Sequence, residues 1–238
     1  GIGMDTDGLI FAGEGLDQVT WMDVCVQGIL PTPRHGKPVE INAYWYNALM
    51  IMDQMAEKIG CDRRDYAKLA AQGKQSFREK FYIPEKGYLK DVLSDTDADE
   101  QIRCNQIWAL SMDFTMLDQA QEQAVLETVR THLYTPYGLR TLSPGDPQYH
   151  PYYGGEQLKR DMAYHQGTTW VFPMGSYYRA WLKVNGNHTE VNVETENADP
   201  NGVLAFWKKI LIFYNISVDC ATEKCKKIFI AKYYNTRS

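Results

Sequence analysis

The sequence predicts an all-α fold in which helices pair as antiparallel hairpins. Apolar residues recur at spacings of three and four over several long segments, which is the period of an amphipathic helix. The loops between these segments alternate between short and long, so the long loops gather at one end of a ring of hairpins and build a single pocket there. A helical repeat protein would show self-similarity at a period of about 34 residues, and this sequence shows none.

The chain begins with a segment, residues 1–38, that is rich in Gly and Pro and lacks a helical period. We predict extended loop here, with short strands around Leu9–Phe11 and Cys25–Ile29. The first helix is predicted at Val39–Ile59, and Gly60 ends it. Its apolar positions are Ile41, Trp45, Ala48, Leu49, Met52, Met55 and Ile59.

A second helix is predicted at Arg63–Phe81, with Asp62 as its N-cap. The next segment, Tyr82–Asp97, is predicted as a loop in which the turn Pro84–Gly87 joins two short strands. The remaining predicted elements are helices at Glu100–Met112 and Leu117–Leu133, a long polar and aromatic loop at Thr135–Gln157, and a last helix from Tyr164 or Gly167 to Val184.

The character of the sequence changes near Asn185. The residues that follow are polar and have no helical stripe, which is typical of a linker or a disordered segment. A later apolar stretch at 203–218 is interrupted by two lysines and is too short to span a membrane. We therefore predict a helical domain at residues 1–184 and a divergent, poorly ordered tail at residues 185–238.

The composition favours a globular chain with an uncharged partner. The 238 residues are 44% hydrophobic, which is enough for a large buried core. The formal net charge of −5 gives no broad basic surface, so neither nucleic acid nor an anionic membrane is expected as a partner. No apolar run reaches the roughly 18 residues of a membrane span, and the N-terminus has no signal-peptide pattern, so the cytoplasm is the expected location.

The motifs of several enzyme classes are absent from the sequence. There is no G-x-S-x-G elbow, P-loop or dinucleotide-binding glycine pattern. The five cysteines are scattered and odd in number, and the five histidines lack the spacing of zinc ligands. The sequence therefore predicts no metal site and no cofactor.

The segment TWMD places Trp21 two residues before Asp23. Acid-catalysed cleavage of a glycoside needs a protonated carboxyl group that gives its proton to the leaving oxygen, and a second carboxylate that activates water or attacks. Asp23 is the candidate general acid, because Trp21 would supply an apolar wall beside it. In the alternative interpretation, Asp23 accepts hydrogen bonds from loop amides and has a structural role.

The segment TPRHGKPVE carries two donors toward sugar hydroxyls, Arg34 and His35, on a turn that prolines stiffen. A rigid loop loses less entropy when it binds a ligand. Glu40 follows at the start of the first helix, and its alternative role is a first-turn acid that interacts with the helix dipole. These three side chains are candidate contacts to a sugar.

A polar and aromatic stretch at residues 137–155 is a second candidate binding segment. It is too polar and too rich in glycine for a core, and too aromatic for an ordinary linker. Tyr149, Tyr152 and Tyr153 would form a platform for pyranose rings, and Arg140 would supply a polar contact.

The segment RDMAYHQGTTW places Tyr164, His165 and Gln166 at the junction of a loop and a helix, with Trp170 shortly after. A histidine by itself is usually structural. Its grouping with a glutamine and aromatic residues in one short segment favours a binding site.

These motifs resemble, in order, those of the glucosidase domain of bacterial and archaeal glycogen debranching enzymes, the amylo-alpha-1,6-glucosidases. The similar segments are TWMD, TPRHGKPVEINAYWYNAL, NQIWALS, YGLRTLSPGDPQYH and RDMAYHQGTTW, which together cover roughly residues 5–184. The resemblance implies a partial (α/α)6 toroid, a six-hairpin fold shared in outline with glucoamylases and trehalases, with its long loops at one end.

The resemblance also implies a function and a set of site residues. The implied reaction is hydrolysis of α-1,6-linked glucose at branch points of glycogen or a similar branched α-glucan, with inversion at the anomeric carbon. The implied general acid is Asp23. The implied glucose-binding residues are Arg34, His35, Glu40, Asn105, Gln106, Tyr164, His165 and Gln166.

The sequence departs from the family pattern in its last part. The acidic segment that supplies the family's general base, and the closing helix after it, are not found in residues 185–238. Glu40 and Asp161 do not match the position of that base. The early helices of the toroid are not found either, so the chain is expected to be a fragment that leaves apolar helix faces exposed, with the remainder of the debranching enzyme as a partner.

Other functions remain open at this stage. A non-catalytic carbohydrate-binding protein would keep the sugar contacts without a working pair of carboxyl groups. A helical interaction scaffold would bind no sugar. A related toroidal enzyme would act on α-1,4 linkages or on trehalose.

Overall fold

Helices dominate the computed structural model, which describes residues 1–94 and 97–186. Helices account for 43% of these residues, and no strand among them is longer than three residues. The all-α prediction is therefore confirmed. None of the described helices is both long enough and apolar enough to cross a bilayer. Most of the predicted tail, residues 187–238, lies outside the described residues.

The described residues contain six α-helices, one short 3-10 helix and ten very short strands. The helices are α1 (Val39–Ile59), α2 (Tyr66–Phe81), α3 (Ile107–Ser111), α4 (Gln119–His132), α5 (Gln157–Ala163) and α6 (Pro173–Asn185), with the 3-10 helix at Cys104–Gln106. The strands are β1 (Ile2–Met4), β2 (Ile10–Ala12), β3 (Lys37–Pro38), β4 (Tyr82–Ile83), β5 (Tyr88–Leu89), β6 (Val92–Leu93), β7 (Ala98–Asp99), β8 (Tyr134–Thr135), β9 (Gly138–Arg140) and β10 (Thr169–Trp170).

The strands form four small antiparallel sheets at the ends of the helices. Their orders are β1-β2, β3-β6-β7, β4-β5 and β10-β9-β8. The β4-β5 hairpin confirms the strands predicted on either side of the Pro84–Gly87 turn. Strand β2 lies close to the position predicted around Leu9–Phe11, and the Cys25–Ile29 prediction corresponds to a single bridge between Val26 and Ile29.

Helix α1 has the bounds that the sequence predicts, and it packs against α2 as a hairpin. Gly60 has φ 68°, and its N–H group bonds the carbonyls of Ala56 and Glu57, which closes the helix. Helix α2 begins three residues later than predicted. Arg64 adopts φ 48°, which interrupts a right-handed helix, and the Asp62 carboxylate accepts a hydrogen bond from the Arg64 amide in this turn.

Two predicted helices start in the wrong place. The helix predicted from Glu100 begins at Cys104, because Arg103 is extended, with φ −119° and ψ 156°, and its side chain turns into the interior. The helix predicted from Tyr164 or Gly167 begins only at Pro173, as α6, and strand β10 occupies part of the predicted segment. Gly167 has φ 137°, and a Cβ atom there would lie 2.6 Å from Cε2 of Tyr149, so helical backbone is not adopted at this point.

Helix α3 lies at the centre of the helical part and packs against α1, α4 and α6. All five of its residues are buried, and it is covered by apolar side chains from its neighbours. Fully buried side chains of this core include Phe77, Phe81, Leu110, Leu133, Leu139 and Met174. The loops and small sheets that flank this core carry the polar residues singled out in the sequence.

Helix α1 is apolar on its exposed side as well as on its buried side. Its exposed apolar residues recur at steps of three and four and therefore lie along one stripe. They are Tyr44, Ala48, Ile51, Met52, Met55 and Ile59. A helix that is hydrophobic all round is normally buried, so the structure exposes a helix face of the kind expected of an incomplete ring.

A pair of substitutions in α1 tests this assignment of its two faces. Leu49→Ala, on the buried face, is expected to lower the free energy of unfolding by about 2–5 kcal/mol, since it removes packed methyl groups. Met55→Lys, on the exposed face, is expected to change it by less than about 0.5 kcal/mol. Urea unfolding followed by circular dichroism measures both, and equal losses would show that the stripe is covered in the isolated chain.

Candidate active site

A cluster of buried charges lies beneath the loops that precede α1. Arg34, Glu40, Asp91 and Arg103 are each no more than 2% exposed. Nε of Arg34 donates to Oδ2 of Asp91 at 2.7 Å, and Nη2 of Arg34 donates to Oδ1 of Asp91 at 3.1 Å. Both terminal nitrogens of Arg34 also donate to the carboxylate of Glu40, with an Nη2–Oε2 distance of 2.6 Å. Two guanidinium groups and two carboxylates therefore balance one another, as buried charges require.

This cluster connects several separate elements. Arg34 lies on the loop before β3, Glu40 is in the first turn of α1, and Asp91 lies between β5 and β6. The Asp91 carbonyl also accepts a hydrogen bond from the amide of Val39, the first residue of α1. Burial acts to lower the pKa of Arg34, but the charges of Asp91 and Glu40 outweigh it and raise that pKa, so Arg34 stays charged.

The buried side-chain amide of Asn105 links the charge cluster to Trp21. Asn105, in the 3-10 helix, is fully buried. Its Nδ2 atom donates to Oδ1 of Asp91 at 2.9 Å, and its Oδ1 atom accepts from Nε1 of Trp21 at 2.8 Å. Since an ionised carboxylate is an acceptor and an indole N–H is a donor, the two contacts define which way the amide points. The Trp21 ring is thereby held at one position and orientation.

His165 lies beside Trp21 as a neutral ring. Its Nδ1 atom is 2.8 Å from the carbonyl oxygen of Met22, which can only accept, so Nδ1 carries the proton. The pKa of His165 is lowered from its ordinary 6.5 to about 4, chiefly by burial; the hydrogen bond to Met22 acts to raise it, and the charges of Arg103 and Arg34 act to lower it. Near neutral pH, Nε2 therefore has a lone pair that is available to accept a hydrogen bond.

Asp23 is buried, with two oxygens in different surroundings. The residue is 3% exposed. Oδ2 accepts hydrogen bonds from the amides of Val19 and Thr20, at 2.9 and 2.7 Å. Oδ1 is buried and has no hydrogen-bond partner among the described residues. The loop-amide role considered from the sequence thus applies to one oxygen, while the other retains unused capacity in a place where an unmet polar atom is costly.

Aromatic rings surround Trp21 and His165. The centroid of the Trp21 ring lies 4.9 Å from that of His165 and 4.7 Å from that of Phe172, both with the rings edge to face. Tyr164 lies 4.6 Å from His165 and 4.9 Å from Trp170. The sequence predicts four of these five rings as site residues, and the structure brings all five together. We refer to Trp21, Tyr164, His165, Trp170 and Phe172 as the aromatic wall.

Two predicted site residues are directed elsewhere. Nε2 of His35 lies 2.9 Å from the carbonyl oxygen of Asp17, so this ring contacts the preceding loop rather than the charge cluster. Gln106 is 1% exposed, and its amide bonds the backbone of Leu89 at 3.2 Å and of Arg103 at 3.0 Å. The described contacts of both side chains are structural.

Three further predicted residues lie behind or beside the aromatic wall. Gln166 donates to the carbonyl of Pro31 at 2.7 Å and accepts from Nη2 of Arg103 at 2.8 Å, so it joins loops rather than facing outward. Arg140 makes a 3.4 Å contact with a carbonyl of β8. The Tyr149 ring lies against the backbone that follows Gln166.

Sequence reasoning missed three residues that the structure places here: Asp91, Arg103 and Phe172. Asp91 interrupts the apolar run YLKDVL, and Arg103 precedes the apolar run of α3. A charged residue inside an apolar run is a signal of a buried ion pair, because an isolated buried charge is too costly. Among residues 1–94 and 97–186, no three His, Cys, Asp or Glu side chains are grouped to hold a metal ion.

The sequence also matches a known family. A family model described as amylo-alpha-1,6-glucosidase matches residues 1–216. The chain belongs to the amylo-alpha-1,6-glucosidase family. The glycogen debranching enzyme of Saccharomyces cerevisiae is similar to it, with 26% identity over 217 residues, which cover 73% of this chain and 14% of the yeast protein. The chain thus spans about one seventh of the length of this curated relative.

Solved structures show the fold of this family member. A GH63 mannosylglycerate hydrolase from Thermus thermophilus, solved in complex with glucose, superposes with a TM-score of 0.50 and 14% identity over 63% of this chain and 33% of its own. A sialidase superposes with a TM-score of 0.52 and 17% identity, over 69% of this chain and 15% of its own. The chain is a glycoside hydrolase family member whose fold is a partial (α/α)6 toroid, as predicted.

The neutral state of His165 makes stability depend on pH in a defined direction. Its pKa is about 4 in the folded chain and has its ordinary value of 6.5 when unfolded, so the unfolded state binds more protons between these values. Stability is therefore lost as the pH falls from 6.5 to 4, by up to about 3 kcal/mol. His165→Asn, which keeps a donor toward Met22, is expected to remove this part of the pH dependence in urea titrations. Equal pH dependence in the two proteins would contradict it.

Removal of one charge from the buried cluster is expected to be costly. Asp91→Asn leaves Arg34 undercompensated in the interior and is expected to lower the free energy of unfolding by about 3–5 kcal/mol. The matched control is Asp53→Asn, because Asp53 is also buried but its partner Arg63 is 47% exposed, so a loss of about 1 kcal/mol or less is expected. Similar losses at the two sites would show that the cluster has no special role.

Proposed function

We propose that this chain provides the general acid and the glucosyl-binding wall of an enzyme that removes α-1,6-linked glucose at branch points of glycogen or a similar branched α-glucan. Support comes from membership of the amylo-alpha-1,6-glucosidase family. Further support comes from similarity to a yeast protein described as a glycogen debranching enzyme. The geometry of Asp23 supplies the chemical argument.

The observation that carries the proposal is the Oδ1 atom of Asp23, which has no hydrogen-bond partner within the described part of the chain. This oxygen is buried, while Oδ2 of the same group is fixed by two amides, so the carboxyl group has one orientation. In the proposed reaction, Oδ1 carries the proton and gives it to the glycosidic oxygen as the bond to the anomeric carbon breaks. The amides of Val19 and Thr20 then stabilise the carboxylate that remains.

The aromatic wall is proposed to hold the glucosyl unit. Trp21 and Tyr164 are partly exposed and offer apolar surfaces for the C–H faces of a pyranose. Nε2 of His165 accepts a hydrogen bond from a sugar hydroxyl. His165 is tied through Nδ1 to Met22, the residue next to Asp23, so the sugar contact and the acid are held in register.

Arg34, Glu40 and Asn105 are proposed to support the wall rather than contact the sugar. Each is at most 2% exposed, and the polar atoms of each are engaged with other buried groups. Their removal would therefore act on sugar binding through the position of Trp21. Positioning of a binding group by a second layer of hydrogen bonds is a common requirement of precise sites.

Inversion requires a second carboxylate about 6.5–9.5 Å from the acid, with room for water between them. Glu40 and Asp91 are both bonded to Arg34, so neither is offered as this base. We propose that the base lies outside residues 1–94 and 97–186. The engagement of these two buried carboxylates also favours the second candidate function, a chain that binds carbohydrate without cleaving it.

The two candidates are separated by paired assays on the 238-residue chain. Glucose release from phosphorylase-limit dextrin measures catalysis, and calorimetric titration with glucose measures binding. Asp23→Asn is expected to lower glucose release by roughly 10²–10⁴-fold, because general acid catalysis contributes that much, while glucose affinity changes by less than about threefold. Asp113→Asn, at a well-exposed position, is the control and should change neither.

Binding of glucose without any release would favour the non-catalytic candidate. Absence of binding by the unsubstituted chain would overturn both. Release that survives Asp23→Asn would show that another group is the acid.

A further inference from the structure

Arg103 is a buried charged residue to which the proposed function assigns no role. It lies directly before the 3-10 helix and is 2% exposed. Its Nη1 atom donates to the carbonyl oxygen of His165 at 2.8 Å, and its Nη2 atom donates to Oε1 of Gln166 at 2.8 Å. Nη2 also donates to Oε1 of Gln101 at 2.7 Å. One guanidinium group therefore fixes two consecutive residues, one of which carries the neutral ring of the aromatic wall.

The acceptors that Arg103 uses are neutral, although carboxylates lie near it. Its Nε atom is 3.9 Å from Oδ2 of Asp91 and 3.8 Å from Oδ2 of Asp99, which is too long for a hydrogen bond, and Nε has no hydrogen-bond partner among the described residues. A buried guanidinium group is bound most strongly by a carboxylate in a two-pronged contact, which Arg34 makes and Arg103 does not. Stability alone therefore does not explain where the donors of Arg103 point, and such departures are expected at functional sites.

The two residues that this guanidinium group holds are both bonded to the loop that contains Asp23. Nδ1 of His165 donates to the carbonyl of Met22 at 2.8 Å, and Nε2 of Gln166 donates to the carbonyl of Pro31 at 2.7 Å. These two carbonyls lie on either side of the candidate acid in the sequence. The guanidinium group is thus linked to the acid loop at two points, through one residue at each point.

The charge of Arg103 also acts on the ring of His165. Burial lowers the pKa of this ring, and the charges of Arg103 and Arg34 both act in the same direction. The other titratable groups beside the ring are Tyr164, whose ring contacts it, and Asp23, one residue after its hydrogen-bond partner. A nearby cation disfavours the imidazolium form, so Arg103 favours the neutral ring that the proposed sugar contact requires.

We propose that Arg103 is a positioning residue of the site, which holds His165 and Gln166 against the loop that carries Asp23. This inference rests on the proposed function and deepens it, because it assigns a role to an enclosed group that acts through its neighbours. The role has two parts. The fork of Nη atoms sets the place of the His165 backbone, and the positive charge keeps the ring neutral.

The test separates the charge from the fork with two substitutions in the full chain. Arg103→Met removes both, whereas Arg103→Lys keeps the charge but replaces the planar fork with a single ammonium group. Arg63→Met is the matched control, because it removes a guanidinium group that is 47% exposed, in the turn between α1 and α2. NMR titration measures the pKa of the His165 ring, whose signal is identified by its absence in His165→Asn. Calorimetry measures glucose binding, and circular dichroism checks folding.

The two substitutions at Arg103 are expected to differ. In the unsubstituted chain and in Arg63→Met, the His165 ring is expected to stay neutral down to about pH 5, since its pKa is about 4. In Arg103→Met this pKa is expected to rise toward 6.5 and glucose binding at pH 7 to weaken about tenfold, because the ring loses its fixed place and a neighbouring cation. Arg103→Lys is expected to keep the low pKa but to weaken glucose binding about three- to tenfold.

Failure of this inference is distinguishable from failure of the proposed function. A folded Arg103→Met chain with an unchanged pKa of His165, or with unchanged glucose affinity, would overturn the positioning role, even if its stability were reduced. If Arg103→Met does not fold, Arg103→Lys decides, and glucose affinity equal to that of the unsubstituted chain contradicts the inference. If the unsubstituted chain binds no glucose, the proposed function fails, and the pKa of His165 in Arg103→Met still decides whether Arg103 controls this ring.

Discussion

The described part of this structure depends on the buried ion pair between Arg34 and Asp91. Removing two charges from water is costly, and the cost is offset here because the guanidinium group meets two carboxylates and the backbone at short distance. The pair joins the loop before α1, the first turn of α1 through Glu40, and the strand segment around β6. It thus holds together segments that are far apart in the sequence and that have little hydrophobic surface of their own.

The site is built in layers outward from that pair. Behind lie the charges, in front of them the amide of Asn105, and then the aromatic wall. Asp23 follows Met22, whose carbonyl accepts the hydrogen bond from His165 of the wall. Polar residues that look like ligand contacts in the sequence are used mainly to fix rings and loops. Under the proposed function this arrangement has a physical reason, since rings would bind a neutral sugar through their faces and need a rigid frame to present those faces, whereas the buried charges supply rigidity but are enclosed.

The partial toroid explains why the aromatic wall is assembled while one apolar face of α1 is left uncovered. The loop that carries Trp21 and Asp23 is joined to His165 by a hydrogen bond and a ring contact, while the outer stripe of α1 stays apolar and exposed. A family match over residues 1–216, together with coverage of one third of a toroidal hydrolase, agrees with a chain that contains part of a ring. The charge cluster orders the region of the site even though the ring of helices is incomplete. Order at the site therefore does not depend on a complete ring.

The sequence by itself determined the helical class, the bounds of α1, its end at Gly60, and the motifs that carry Asp23 and His165. These features follow from local periodicity, capping chemistry and a family pattern. The tertiary structure alone decided the role of Asp91, 57 positions from Arg34, and the inward turn of Arg103, which delays the helix predicted from Glu100. Pairing of buried charges and of very short strands depends on contacts between segments that are distant in the sequence. Such contacts produce no periodic pattern of residues, so they cannot be recognised from the sequence.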